Sequence, residues 1–180
     1  QHQPPPWTLL PGVMGLALLL VPRGVPGRWL GVLLLLPVFL IQPGTPGPGE
    51  VRMTLLDVGQ GLATVVQTQN HVLVYDAGPR FSEAFDTGAA VVVPFLRNRG
   101  IRSIDTLVVS HGDNDHIGGV ASLLSACKTG RVISSVPGKL PQVAAEHCLG
   151  GQQWEWDGVV FRMLHPETIQ GRPGNNTSCV

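Results

Sequence analysis

The stretch Ser110 to Gly119, S-H-G-D-N-D-H-I-G-G, places two histidines and two aspartates within the six positions from His111 to His116. Neighbouring carboxylates raise each other's pKa and a buried, unpaired charge is costly, so Asp113 and Asp115 need something positive between them. A metal ion is the natural candidate. Ile104–Ser110 reads as a short buried strand, and Ile117–Ala126 reads as a helix with Val120, Leu123 and Leu124 on one face. The ligand-rich segment is therefore expected on a strand-to-helix loop. There Gly112, Gly118 and Gly119 allow close backbone approach, and the helix start favours an anion.

The donor types narrow the chemistry. His111 and Asp113, two residues apart, point to the same side of an extended segment, whereas the adjacent Asp115 and His116 can turn toward a second point. Two ions about 3.5–4 Å apart could be held in this way, an arrangement suited to hydrolysis by in-line displacement. Imidazole combined with carboxylate favours Zn²⁺, Mn²⁺ or Fe over Ca²⁺ or Mg²⁺, and the second Asp makes the first position more tolerant of Mn²⁺.

Upstream of the motif, Val51–Val58, Leu62–Gln67 and His71–Asp76 read as three short strands. Asp57 and Asp76 fall at strand ends, where each either caps a turn or supports the metal loop from behind. Phe81–Thr87 reads as a polar loop, and Gly88–Arg99 as a helix interrupted at Pro94 and ended by Gly100. Downstream, Arg131–Ser135 is expected to be a strand and Pro137–Gly150 is poorly patterned. Gln153–Trp156 and Val159–Leu164 form a hairpin turning at Asp157-Gly158, Arg172–Asn176 is loop, and Ser178–Val180 begins another strand.

The first 49 residues have a different character. Arg23 and Arg28 are the only Asp, Glu, Lys or Arg before Glu50, and the apolar runs Trp7–Val21 and Trp29–Ile41 lie on either side of them. Each run is shorter than the roughly 20 residues that span a bilayer unaided, so one or two membrane-embedded helices, as a tilted hairpin or a span plus an interfacial segment, are expected within 1–41. The positive-inside tendency puts the two arginines in the cytoplasm and the following domain on the outer side. Residues 42–49, Q-P-G-T-P-G-P-G, form a linker, and a domain of ordinary composition occupies 50–180. Net charge is zero and the pI is about 7.2, so no global basic field advertises nucleic acid. Cys127, Cys148 and Cys179 lack C-x-x-C spacing and are odd in number, which indicates neither a disulfide framework nor a cysteine zinc site. The chain reads as a piece of a longer protein.

H-x-D-x-D-H followed by G-G resembles the H-x-H-x-D-H signature of the metallo-β-lactamase superfamily, with Asp113 where the second His usually stands. The resemblance implies an αββα sandwich. The strand-turn-strand start with L-D-V-G-Q-G and V-Y-D-A-G (74–78) is similar to the same superfamily. The ordered series L-D-V-G-Q-G-L-A (56–63), F-D-T-G (85–88), V-V-P-F-L-R-N-R-G-I (92–101), the central motif and N-N-T-S-C-V (175–180) is similar to the C-terminal domain of ComEC-type DNA internalisation competence proteins. It covers Glu50–Val180, and the apolar runs match the last membrane segments of that family's channel.

The resemblance implies a multi-pass bacterial inner-membrane protein that takes up single-stranded DNA in natural transformation. Its partners would be DNA, the membrane and other competence proteins. Its hydrolase domain, on the periplasmic side, would be a nuclease acting on the strand that is not imported. His111, Asp113, Asp115 and His116 would be ligands of two Zn or Mn ions, Asp115 would also orient the attacking water, and Asp57 and Asp76 would support the site. Leu62 departs from the acidic residue that many relatives carry after G-Q-G. The later ligands of the superfamily, an Asp and a distal His, are expected beyond Val180, which would leave this stretch inactive by itself. Other classes consistent with the sequence are a non-catalytic DNA guide on the channel and a membrane-tethered hydrolase of another small ester.

Overall fold

In the computed structural model, which describes residues 4–22, 26–41, 44–168 and 175–180, the chain divides into two compact units. One comprises Gln1–Gly44 with Arg97–Gly100, and the other comprises Thr45–Leu96 with Ile101–Val180. Expectations placed on Arg23, on Gln42 and Pro43, and on Arg172–Gly174 lie outside the described residues.

In the first unit the two apolar runs are helical: α1 spans Leu9–Leu20 and α2 spans Leu30–Leu40. They pack where Gly15 and Gly31 face each other, each backbone so close that a Cβ would strike the other's carbonyl oxygen. With 12 and 11 residues, and a rise of about 1.5 Å per residue, each reaches about half of the roughly 30 Å hydrocarbon layer. No helix among the described residues is long and apolar enough to cross a membrane. Their outward side chains remain apolar, with Leu10, Leu20, Phe39 and Leu40 all at least 70% exposed.

The second unit is built on a six-stranded mixed sheet in the order β1-β2-β3-β4-β5-β6. β1 (Arg52–Leu55), β2 (Thr64–Gln67) and β3 (Val72–Tyr75) form an antiparallel meander, shorter than the sequence runs that announce them. β4 (Ser103–Val109), β5 (Lys128–Ser134) and β6 (Ala145–His147) then add in parallel. β6 falls inside the stretch that patterning left unassigned, because three residues lying half on an edge carry no alternation to read.

Side chains on the sheet alternate between two cores. Val74, Leu107, Val109 and Val132 face the helices, packing with Val92, Leu96, Val120 and Leu123. Leu73, Val108 and Ile133 face the other way, toward Met163 and the aromatic residues of a hairpin, β7 (Gln153–Trp156) and β8 (Val159–Arg162). Helices on one face, the mixed sheet, and a two-stranded sheet over the other face are thus the layers present. Asp157 (φ 52°) and Gly158 (φ 83°) make the expected tight turn. The Asp157 carboxylate is held well below the usual range by the Thr68 hydroxyl and the Asn70 N–H, tying the hairpin to the β2–β3 turn.

Three expectations need correction. The single helix over Gly88–Arg99 is a π-type turn, Gly88–Val92, running into α3 (Val93–Asn98). The hydrogen-bond ladder changes pitch where Pro94 has no N–H to give. Ser178–Val180 is not a strand. It is irregular chain held by Val180 N–H donating to the His165 carbonyl at 3.0 Å and by Cys179 N–H donating to Ser110 at 2.8 Å. Thirdly, a disulfide does form, between Cys148 and Cys179, with Cα atoms 5.9 Å apart and a sequence separation of 31. Parity of three cysteines hid it, because the third, Cys127, is buried outside the pair.

The bridge closes a loop that holds the hairpin and the last residues onto the sheet. Replacing Cys148 by Ser should therefore lower the unfolding free energy by about 2–4 kcal/mol. Denaturant midpoints with and without reductant check this, the variant being expected to match the reduced wild-type protein.

Candidate metal centre

The site grows from the end of β3. Asp76 follows Tyr75 in the left-handed region, φ 58°, a conformation that costs a non-glycine residue of the order of 1–3 kcal/mol and persists only where its surroundings enforce it. The enforcement is visible. Asp76 N–H bonds Val108 at 2.8 Å, and the carboxylate, with no exposed surface, receives the Ser110 N–H at 2.7 Å and the Ser110 hydroxyl at 2.6 Å. His116 Nδ1 lies 2.7 Å from the same carboxylate.

These contacts fix the imidazole protons. A carboxylate accepts, so His116 carries its proton on Nδ1 and leaves Nε2 with a lone pair. The one proton of the Ser110 hydroxyl is given to Asp76, so its oxygen accepts from His111 Nδ1 at 3.0 Å, and His111 Nε2 is likewise left with a lone pair. Asp76 raises the pKa of His116, chiefly through that hydrogen bond. Burial opposes the shift, and the charges of Asp76, Asp115 and Asp113 reinforce it. Tyr75, beside Asp76, is pushed up to about 12 by burial first and by the Asp76 charge second, and its hydroxyl donates to the Cys179 carbonyl.

The motif does not lie entirely on a loop. His111, Gly112 and Asp113 do, but α4 (Asn114–Ile117) starts immediately after and carries Asp115 and His116 on a helical turn, before Gly118 and Gly119 separate it from α5 (Val120–Ala126). The break is enforced by contact, because a Cβ at Gly118 would strike Arg80 N, and one at Gly119 the Ala77 carbonyl. Sequence periodicity read one helix from Ile117, because a four-residue turn of mostly polar residues gives it no signal.

His111 Nε2 lies 3.5 Å from Asp113 Oδ2, and His116 Nε2 lies 3.4 Å from Asp115 Oδ2. Two ligands on one tetrahedral ion at bond lengths of about 2.0–2.1 Å would be separated by about 3.4 Å, so each pair has the spacing of two donors on one centre. His111, Asp115 and His116 offer ligand atoms that all lie within 4.8 Å of one another, and the two rings are 4.0 Å apart. Asp113, with a side chain 58% exposed, stands outside that group of three, its carboxylate beside His111. The donor set and its spacing fit a divalent transition-metal ion.

The two candidate supporting carboxylates differ. Asp57 accepts from Gly59 N–H at 3.2 Å, within its own turn, whereas Asp76 touches the motif directly. The Asp57–Gly61 turn nevertheless reaches the site through its backbone. Leu62 N–H donates to the Asp115 carbonyl at 3.1 Å, and a Cβ at Gly61 would run into that same oxygen. A side chain at position 62 is not needed for this contact. Ser110 is the residue that sequence reasoning missed. Its signal was its place next to His111 at the end of a buried strand, where a hydroxyl needs a partner.

Residues 56–179 match the family described as the metallo-beta-lactamase superfamily. The chain belongs to that superfamily. Among curated relatives, "Competence protein ComA" of Neisseria gonorrhoeae is 37% identical over 172 residues, 96% of this chain and 24% of the relative. "Recombination protein 2" of Haemophilus influenzae is 32% identical over 129 residues, 72% of this chain and 16% of the relative. "Ribonuclease J" of Mycolicibacterium smegmatis is 33% identical over 91 residues, 47% of this chain and 16% of the relative. The chain thus spans a quarter or less of the length of these relatives. The resemblance to competence proteins read from the ordered motifs is borne out. Among solved structures, the subclass B3 metallo-beta-lactamase MEM-A1 from a soil metagenome superposes with a TM-score of 0.51 at 15% identity, covering 77% of this chain and 56% of that one. This likeness bears on the fold alone.

The raised pKa of His116 gives a pH dependence with a definite sign. Without metal, the stabilisation from the charged His116–Asp76 pair is full below the unfolded-state imidazole pKa and fades as pH rises through the higher folded value. Metal needs the neutral ring, so affinity should fall on acidification starting above the pH at which an ordinary His titrates. Asp76→Asn removes the cause of the shift, so the acidic midpoint of Zn²⁺ binding should move down while affinity at neutral pH weakens by about 10–100-fold. Chelator competition measured across pH checks both, and an unmoved midpoint would show that Asp76 does not govern this proton.

Proposed function

We propose that this chain supplies part of the hydrolytic domain of a bacterial inner-membrane DNA-uptake protein, and that the complete domain cleaves phosphodiester bonds of the strand left outside during natural transformation. The observation carrying this is the pair of donor sets, His111 with Asp113 and Asp115 with His116, each at the spacing of ligands on one ion. The names of the relatives, two for competence or recombination and one for a ribonuclease, direct that chemistry toward polynucleotides.

The division of labour follows from the contacts. His111 and Asp113 would hold one divalent ion and Asp115 and His116 a second, Zn or Mn. Such ions, when bound, neutralise the scissile phosphate and lower the pKa of water at neutral pH. Ser110 and Asp76 keep both Nδ1 protons in place, so both Nε2 atoms stay available without reorganisation. Asp115, with a side chain 43% exposed, is reached by solvent and can orient the attacking water and take its proton. His111, 8% exposed, anchors the inner side.

The setting follows from the rest of the chain. The α1–α2 pair turns Leu10, Leu20, Phe39 and Leu40 outward and is embedded in the membrane as a short hairpin or as parts of longer tilted segments. The Cys148–Cys179 bridge belongs to an oxidising compartment, which favours the periplasmic side for the hydrolase unit and agrees with arginines held inside.

The metallo-domain of the full-length protein should degrade DNA when supplied with Mn²⁺ or Zn²⁺. Asp115→Ala and His116→Ala should each lower the rate by about 10²–10⁴-fold while the fold is retained. Gel assays on single- and double-stranded substrates test this, and a folded, metal-loaded domain inert toward both would end the nuclease reading.

A further inference from the structure

The loop Phe81–Thr87, which reads as polar in the sequence, displays two phenyl rings. Phe81 is 63% exposed and Phe85 52%, and their centroids lie 5.6 Å apart with the planes inclined by 27°. The mounting is firm. An Arg80–Asp86 bridge closes the loop, and the N–H groups of Phe81 and Ser82 both donate to the Phe85 carbonyl, at 3.0 and 3.1 Å. Asp86, 5% exposed, accepts from Ala89 N–H at 2.9 Å and the Ser122 hydroxyl at 2.6 Å, and it pairs with Arg80 at 3.5 Å. Rings left in water on a loop this well anchored mark a surface that something covers.

The loop is also fastened to the candidate metal centre. Arg80 N–H donates to Asn114 Oδ1 at 3.2 Å and Asn114 Nδ2 donates to the Arg80 carbonyl at 2.9 Å, and Asn114 is the residue between Asp113 and Asp115. On the same segment the exposed Lys139 donates one Nζ proton to the Gly112 carbonyl at 2.7 Å, leaving its charge and two further donors facing outward. A ring pair and an ammonium group are thus both tied by hydrogen bonds to Gly112–Asn114.

We propose that Phe81 and Phe85 form a base-stacking platform and Lys139 a phosphate contact, together laying single-stranded DNA across the metal loop. The proposal rests on the phosphodiesterase reading above and names the form of its substrate. Unpaired bases offer free faces to aromatic rings, whereas in a duplex those faces are covered by neighbouring pairs. A lipid surface fits less well. The patch is only two rings wide, small for insertion into a bilayer surface.

The test is fluorescence anisotropy of a labelled oligothymidylate, and of a hairpin duplex of equal length, with the intact chain in EDTA. Mn²⁺-dependent cleavage by the full-length protein is followed in parallel. The joint Phe81→Ala, Phe85→Ala variant should bind oligothymidylate about tenfold or more weakly, with its salt dependence unchanged, while Phe81→Tyr, Phe85→Tyr retains binding. Lys139→Ala should reduce the slope of log affinity against log salt by about 1. The proposal is overturned if the alanine variant binds oligothymidylate like wild type, or if the wild-type chain does not bind it. It is equally overturned if the rings matter only for vesicles of phosphatidylethanolamine and phosphatidylglycerol. Cleavage by the full-length protein without ring dependence removes the platform and leaves the nuclease reading; ring-dependent binding without cleavage by the full-length protein does the reverse.

Discussion

The second unit depends on one buried carboxylate. Asp76 has no exposed surface and a left-handed backbone conformation, and it makes four short contacts across the gap between β3 and β4. An unpaired carboxylate in that position would cost several kcal/mol, so the partners must be in place before the strand ends can close. Those partners are the backbone and side chain of Ser110 and the ring of His116, the residues that begin and end the motif. The energetic requirement of burying Asp76 and the geometric requirement of aiming two imidazoles are met by the same set of bonds.

A second restraint acts from the opposite side of β4. Cys179 N–H donates to the Ser110 carbonyl, the Cys179 carbonyl accepts from Tyr75, and Cys179 is bonded to Cys148, whose N–H donates to Ser134 at the end of β5. The ends of three adjacent parallel strands, β3, β4 and β5, are thereby joined behind the loop that carries His111. In parallel sheets, groups that act on ligands gather at the carboxyl ends of strands, where the chain leaves the ladder and its backbone groups become available. The bridge supplies there the rigidity that a short strand such as β6 cannot.

What the sequence made legible, and what it did not, divides by range. The four residues His111, Asp113, Asp115 and His116 could be grouped because they are neighbours in the chain, and β2, β3, β4 and the hairpin carried their own alternation and turn residues. Asp76 to His116 is a contact across 40 residues and Cys148 to Cys179 one across 31, and no local pattern encodes either. The Leu62 contact was hidden for a different reason. It is made by the backbone, so an unexpected side chain looked like a loss when the N–H was what mattered. Phe81 and Phe85 were passed over as loop residues because periodicity has nothing to say about a turn.

Asp113 is where this site departs most from a histidine-rich one, and its position makes physical sense of the exchange. The residue caps α4: its carbonyl accepts the N–H groups of His116 and Ile117, both at 3.0 Å, while its carboxylate points outward beside His111 Nε2. The carboxylate makes no capping hydrogen bond of its own and is left free to face His111. It also adds a negative charge near His116, whose pKa it helps to raise. Two carboxylates, Asp113 and Asp115, beside two imidazoles make a harder, more anionic donor set than histidines alone. Beside this negative field stands one positive group, Lys139, whose Nζ donates to the adjoining Gly112 carbonyl at 2.7 Å.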